Sequence, residues 1–120
     1  MAAEKQFENK VKKFLKDRGC YQIKYWGGGT FTKSGVPDIL CCCNGVFLGI
    51  ELKGPTGKPS EIQLHHLRKI EDAGGFAVLL YPKHFELFKN MVDCFVAEDY
   101  ENAIHNYELL KGVWESGKFV

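Results

Sequence analysis

The sequence predicts a mixed α/β fold in which helices flank a central mixed β-sheet, in the order αβββαβ followed by C-terminal helices. Three observations predict it: an amphipathic N-terminal segment, two apolar runs joined by Asn44-Gly45, and a capped helical segment that leads into another apolar run. A length of 120 residues suits one domain with a single core. We take that domain to span 1–120, with a motif-bearing core at about 4–82 and a helical extension at about 83–120.

The first helix and strand follow from hydrophobic spacing. Residues 4–18 place their apolar side chains on one helical face, which predicts a helix ended by Gly19. These side chains are Phe7, Val11, Phe14 and Leu15. Residues 20–26 alternate as a strand does, and the glycines at 27–29 break that strand before a loop that continues to residue 35.

The next two strands form a hairpin. The runs 36–43 and 46–53 are apolar and flank Asn44-Gly45, the dipeptide that most strongly favours a two-residue type I′ turn. With Asn44 and Gly45 as the turn, the numbers of paired residues add up to 89, so that Asp38 faces Glu51.

The second half of the chain alternates between helix and strand. Residues 54–59 have the composition of a loop, and Ser60 and Gln63 have the spacing of a helix capping box. The helix that follows extends to Gly74, and 76–81 predict a buried strand reached by a crossover connection. The stretches 83–93 and 99–111 are moderately helical, and 112–120 are unassigned.

The net charge of +1 conceals an uneven distribution. Residues 1–33 carry eight basic against three acidic side chains, whereas residues 83–120 carry four against seven. A basic N-terminal third suits a polyanion such as DNA, although a lysine-rich solvated helix face explains the charge equally well. The acidic C-terminal third is expected to pack on the sheet or to build a dimer interface.

Cysteine usage and hydropathy predict a cytoplasmic protein. No apolar run reaches the ~20 residues that span a bilayer, and the N-terminal segment is charged. The five cysteines include three consecutive ones, which fits no disulfide framework and predicts reduced thiols. Consecutive strand residues point to opposite faces, so a zinc site is not expected either.

The predicted hairpin brings three charged side chains together. Asp38 and Glu51 face each other with Cβ atoms ~5 Å apart, an arrangement that a divalent cation such as Mg²⁺ would stabilise. Lys53 lies on the same face as Glu51, where it can act on a phosphodiester bound to the metal. The alternative is that Asp38 caps a turn and that the common E-x-K pattern arises by chance.

Two further residues are candidates for the same site. Gln63 lies on the inward face of its helix, and both a site role and a simple capping role remain open. Glu8 borders the apolar face of the first helix, and Glu4 is its rival.

These motifs resemble a known nuclease family. Gly35-Val36-Pro37-Asp38, Gly49-Ile50-Glu51-Leu52-Lys53, Gln63 and Gly74-Gly75 are similar to the motif set of the virus-type replication-repair nuclease (VRR-NUC) domain. This domain is a branch of the PD-(D/E)xK superfamily, which has the restriction-endonuclease-like fold. The resemblance implies that Asp38 and Glu51 bind the metal with the Leu52 carbonyl, that Lys53 is catalytic and that Glu8 assists. It also implies a homodimer of the standalone phage or bacterial type.

The predicted function is therefore a structure-specific DNA endonuclease that cleaves four-way (Holliday) junctions with Mg²⁺, for which Mn²⁺ can substitute. A flap or restriction-like nuclease and a non-catalytic DNA-binding module are the alternatives. No organic cofactor is expected, since the sequence has no dinucleotide fingerprint or P-loop. No membrane partner is expected either. The expected location is the cytoplasm of a bacterium or a phage-infected host. The candidate DNA contacts are Lys12, Lys13, Lys24, Lys33 and Ser34.

Overall fold

A four-stranded mixed sheet between helices forms the centre of the computed structural model, which describes residues 2–26 and 34–117. The predicted fold class is confirmed. The elements are α1 (Ala2–Asp17), β1 (Tyr21–Lys24), β2 (Ile39–Cys43), β3 (Val46–Leu52), α2 (Glu61–Asp72), β4 (Phe76–Leu80), a 3₁₀ turn (Pro82–His84), α3 (Phe85–Val96) and α4 (Tyr100–Glu115).

The strands lie in the order β1-β2-β3-β4. The first three are antiparallel, and β4 is parallel to β3 because α2 carries the chain back across the sheet. The predicted crossover into the fourth strand is therefore confirmed. Each of the two sheet edges is formed by a short strand, β1 or β4.

The hairpin has the predicted turn and register. Asn44 and Gly45 have φ values of 50° and 84°, as a type I′ turn requires. The pairing runs from Cys43 opposite Val46 to Ile39 opposite Ile50, so paired numbers add up to 89 as predicted. The strand predicted from residue 36, however, begins only at Ile39, because the preceding Pro37 has no N–H to donate to a ladder.

Other boundaries differ from prediction by a few residues. The helix α1 begins at Ala2 rather than at residue 4, and β1 ends at Lys24 rather than at 26. The last helix continues to Glu115 through residues that were unassigned, because Leu110 and Trp114 extend its buried face. Within the described residues, no helix is long and apolar enough to cross a membrane.

Apolar side chains are buried on both faces of the sheet. One cluster joins α1 and α3 to the sheet and includes Val11, Leu15, Ile39, Ile50, Phe88 and Phe95. The other lies under α2 and the end of α4 and contains Leu64, Leu67, Ala77, Leu79, Tyr81 and Trp114. The helices α1 and α2 thus pack on opposite faces of the sheet.

The helix α4 covers the outer edge of β4. The backbone N–H of Ala77 donates to the Tyr107 hydroxyl at 3.2 Å, and the Trp114 indole N–H donates to the Ala77 carbonyl at 2.9 Å. The Tyr107 hydroxyl in turn donates to Glu71 at 2.8 Å. Of the two sequence-based expectations for the C-terminal third, packing on the sheet is what the structure shows.

The prediction that the cysteines form no disulfide is wrong. Cys20 and Cys43 are disulfide-bonded in the structure, with Cα atoms 4.6 Å apart. Cys41 and Cys43 are two residues apart on β2 and share a face, and the chain reversal after α1 brings Cys20 to that face. The sulfurs of these three buried cysteines lie within 4.8 Å of one another. Consecutive strand residues point to opposite faces, but Cys41 and Cys43 are separated by one residue and therefore point to the same face.

Candidate active site

Asp38 lies at the entrance to β2, next to the end of β3. Its carbonyl accepts a hydrogen bond from the Tyr25 N–H at 2.7 Å, and its carboxylate Oδ2 accepts one from the Leu52 N–H at 2.9 Å. The predicted ladder pair with Glu51 is therefore not formed, since β2 begins one residue later. The carboxylate instead lies against the backbone of Leu52, the residue between Glu51 and Lys53.

Glu51 is the most deeply buried charged residue of the site, at 2% exposure. Its Oε2 accepts a hydrogen bond from Gln63 Nε2 at 2.9 Å and lies 3.5 Å from Lys53 Nζ. Its Oε1 is buried and has no hydrogen-bond partner among the described residues. A buried carboxylate oxygen left in this way is costly, which indicates that a ligand completes it.

The electrostatic environment of Glu51 suits a cation. Burial, followed by the nearby charge of Asp38, raises the pKa of Glu51 to about 8, and Lys53 offsets this only in part. A second positive charge would restore the ionised form. Two carboxylates beside the backbone of Leu52 form an all-oxygen donor set, which a hard cation such as Mg²⁺ prefers.

Lys53 follows the last residue of β3. Its backbone N–H donates to the Leu80 carbonyl at 3.1 Å, which continues the pairing with β4. Its side chain is 16% exposed and directs Nζ to the Glu51 carboxylate, so Lys53 lies beside Glu51 as the strand periodicity predicts.

Gln63 makes both of the contacts between which the sequence could not decide, one in the helix cap and one in the site. The predicted capping box with Ser60 is confirmed, with reciprocal side-chain and backbone hydrogen bonds. The same side chain donates to Glu51 from its Nε2. Gln63 therefore joins the start of α2 to the buried carboxylate.

Glu8 approaches the site from α1 through a lysine. Glu8 is 7% exposed, and its carboxylate lies 3.2 Å from Lys24 Nζ and 3.4 Å from both Lys5 and Lys12. Burial acts to raise the pKa of Glu8, but the lysines outweigh it, so the pKa is lowered. Lys24 Nζ also lies 3.6 Å from Asp38 Oδ1 and links Glu8 to the central carboxylates. Glu4, the rival candidate, is exposed.

The predicted DNA contacts lie in different places. Lys12, Lys13 and Lys24 line a groove along α1 together with Lys16, Gln22 and Asp17, the last of which pairs with Lys13 at 3.0 Å. Ser34 is exposed, and Lys33 lies outside the described residues. Trp26 is 72% exposed, with its ring centroid 5.3 Å from Lys24 Nζ.

Sequence reasoning assigned Lys24 only to DNA and missed its place among the carboxylates. The signal that places it there is the register of β1 on β2, which sets Lys24 opposite Ile39, the neighbour of Asp38. That register depends on a connection through 27–33, for which the sequence offers no turn rule.

Comparison with known proteins identifies the family. The family model of archaeal Holliday junction resolvases (Hjc) matches residues 2–88. The chain belongs to this family. It is thus a structure-specific, metal-dependent endonuclease that acts on Holliday junctions, and the broader PD-(D/E)xK-type prediction is confirmed. The matched segment of the resolvase includes the carboxylates, Lys53 and Gln63, and it ends within α3. No curated protein and no solved structure matched the chain.

Proposed function

We propose that this resolvase cleaves four-way DNA junctions with Mg²⁺ held by Asp38 and Glu51. The observation that carries the proposal is the buried Oε1 of Glu51, which lies beside a second carboxylate and a lysine and has no hydrogen-bond partner in the described part of the chain. A buried group of this kind is stabilised by a cation. Mn²⁺, which also takes oxygen ligands, is expected to substitute.

Each residue of the site has a proposed role. Asp38, Glu51 and the Leu52 carbonyl hold the metal, which when bound polarises the phosphodiester and lowers the pKa of a bound water. Gln63 fixes the orientation of Glu51 by its hydrogen bond to Oε2. Lys53 stabilises the negative charge that develops on the phosphate during hydrolysis.

Glu8 contributes through its ion pair with Lys24. The buried carboxylate holds the ammonium at 3.2 Å, close to Asp38 Oδ1. There the ammonium balances part of the negative charge of the site and is available to a DNA phosphate.

The DNA backbone is proposed to follow the groove along α1. Lys12 and Lys13 supply phosphate contacts, and Lys24 lies where the groove meets the carboxylates. Lys33 and Ser34 are proposed to contact the same strand. Trp26 offers an exposed aromatic face beside Lys24 on which an unpaired base can stack.

A homodimer is proposed because a junction is resolved by two cuts. Two-fold symmetry is the commonest way for a small chain to supply two sites. The outer surface of the β1–β2–β3 sheet offers an apolar face for such a contact, with Tyr21 71%, Ile23 52% and Phe47 45% exposed. We therefore propose that a second copy covers this face.

Within the PD-(D/E)xK nucleases we propose a place near the VRR-NUC branch, supported by the motifs around Asp38, Glu51 and Gln63. The resolvase core and α4 are proposed to act as one domain, since α4 bonds directly to β4.

Cleavage of labelled four-way junction, flap, duplex and single-stranded DNA in Mg²⁺, Mn²⁺ and EDTA tests the proposal. Asp38→Asn and Lys53→Met are compared with Glu86→Gln, which alters an exposed carboxylate on α3. We expect paired, metal-dependent nicks in the junction from the wild type and the control only. A preference for flaps would replace the junction assignment with the flap alternative, and junction binding without any cleavage would favour the non-catalytic module.

A further inference from the structure

We infer that Tyr81 is a positioning residue that fixes Lys53 through the loop 54–59. The inference rests on the proposed catalytic role of Lys53. Three successive contacts connect Tyr81 to the site. The Tyr81 hydroxyl bonds to Gly57, Gly57 lies against the Lys53 side chain, and Lys53 lies beside Glu51.

Tyr81 is a rigid anchor for this loop. It directly follows β4, is 3% exposed and packs in the apolar cluster under α2. Its hydroxyl donates to the Gly57 carbonyl at 2.7 Å. Burial raises the pKa of Tyr81, so the hydroxyl keeps the proton that it donates.

Gly57 lies directly against the aliphatic part of Lys53. The Gly57 N–H donates to the Gly54 carbonyl at 3.2 Å, which closes a tight turn. A Cβ added at Gly57 would lie 3.2 Å from Lys53 Cδ and 3.4 Å from Lys53 Cβ. The absence of a side chain at Gly57 therefore lets the loop cover the lysine, and the position of the loop limits where the lysine chain can lie.

The end of β4 thus holds Lys53 twice. The Leu80 carbonyl accepts the Lys53 backbone N–H, and the next residue, Tyr81, holds the loop over its side chain. A catalytic ammonium needs its position fixed to well within 1 Å, because small misplacements lower rates strongly. The loop covers part of the Lys53 side chain at Gly57, and 16% of that side chain is exposed.

Tyr81→Phe tests the inference by removing only the hydroxyl. We expect the single-turnover rate of junction cleavage to fall about tenfold with unchanged DNA affinity, the effect of losing one hydrogen bond that orders the site. The matched control is Tyr107→Phe, which also loses a hydrogen-bonded hydroxyl next to β4. The Tyr107 hydroxyl bonds to Glu71 and Ala77 rather than to the loop 54–59. The control is expected to lower the melting temperature and leave the cleavage rate of the folded enzyme unchanged.

Gly57→Ala provides a second variant with the hydroxyl intact. Its added methyl group presses on the Lys53 chain, so it is expected to slow cleavage as Tyr81→Phe does. A wild-type cleavage rate in both Tyr81→Phe and Gly57→Ala would overturn the inference.

A readout independent of activity separates this inference from the proposed function. The rate at which an amine-reactive reagent labels Lys53, measured by mass spectrometry without DNA or metal, is expected to rise severalfold in Tyr81→Phe and to stay unchanged in Tyr107→Phe. An unchanged rate in Tyr81→Phe counts against the inference even if the wild type cleaves junctions. A wild type that cleaves no DNA would instead reject the proposed function, while the labelling result still decides whether Tyr81 positions Lys53.

Discussion

Gln63 contacts Glu51 and Ser60 with the two ends of a single side-chain amide. Its Nε2 donates to Glu51 Oε2 at 2.9 Å, and its Oε1 accepts from the Ser60 N–H at 2.9 Å. The orientation of the amide is fixed by both partners, because exchanging the oxygen and the nitrogen would break both bonds. The first turn of α2 therefore determines where the buried carboxylate can point.

Gln63→Ala and Ser60→Ala are expected to separate capping from catalysis. Each loses part of the capping box, so each should be less stable by about 1 kcal/mol. Only Gln63→Ala also loses the bond to Glu51, and its cleavage rate should fall about tenfold or more. Thermal melts and single-turnover cleavage measure the two effects, and an equal loss of activity in Ser60→Ala would show that capping alone explains the role of Gln63.

The stability of the metal-free protein should depend on pH through Glu51. The folded-state pKa of about 8 lies above the ordinary value of 4.5, because burial and the charge of Asp38 disfavour the ionised form. The stabilising contribution is therefore complete below about pH 4.5 and is lost as the pH rises through about 8.

Melting temperatures between pH 5 and 9 in EDTA check this dependence. Glu51→Gln should show a flatter profile than the wild type over that range. Added Mg²⁺ should stabilise the wild type more as the pH rises, since protons and the metal compete for the same carboxylate. The same slope in Glu51→Gln would assign the pH dependence to other groups.

Gly49 provides a test of how closely α2 packs on the sheet. A Cβ at Gly49 would lie 2.5 Å from Ile70 Cδ1, so Gly49→Ala should destabilise the fold by about 1–3 kcal/mol. Ile70→Val removes that methyl group and should relieve much of the clash. Urea denaturation of the two single variants and the double variant measures the coupling, and strictly additive losses would contradict the proposed contact.

The disulfide between Cys20 and Cys43 should stabilise the fold. It closes a loop with a sequence separation of 23, for which the loss of chain entropy in the unfolded state corresponds to about 3 kcal/mol. Dithiothreitol should lower the melting temperature of the wild type and leave that of Cys20→Ser unchanged, since Cys20 is the neighbour of both Cys41 and Cys43. Cys42→Ser, which alters an exposed free thiol, is the control and should respond as the wild type does; a wild type indifferent to reductant would contradict the prediction.

Local rules predicted the elements that depend on neighbouring residues. Asn44-Gly45 fixed the hairpin turn, and strand periodicity then placed Glu51 and Lys53 side by side. The spacing of Ser60 and Gln63 predicted the start of α2. In each case the partners lie a few residues apart, so the sequence determines their geometry almost alone.

Contacts between distant segments were beyond these rules. The bond from the Leu52 N–H to Asp38, the bridge from Lys24 to Asp38 and the Cys20–Cys43 disulfide each depend on how separate elements meet. The periodicity of one segment does not specify how it meets another, and the sequence of residues 27–33 contains no motif that predicts a particular turn type. The same reason explains why the role of Tyr81, which reaches Gly57 across the fold, has no sequence signature.

The bonds from Tyr107 and Trp114 to Ala77 have a consequence for aggregation. An unprotected edge strand is a template on which strands from other molecules can add. These two side chains form hydrogen bonds with the outward N–H and carbonyl of Ala77. Neither group is therefore available to pair with an incoming strand while α4 is in place. A chain that ends after α3 would keep the buried side chains of that helix and all residues of the candidate active site, but it would lose α4. Such a chain would expose this edge together with Leu79 and is expected to self-associate through β4.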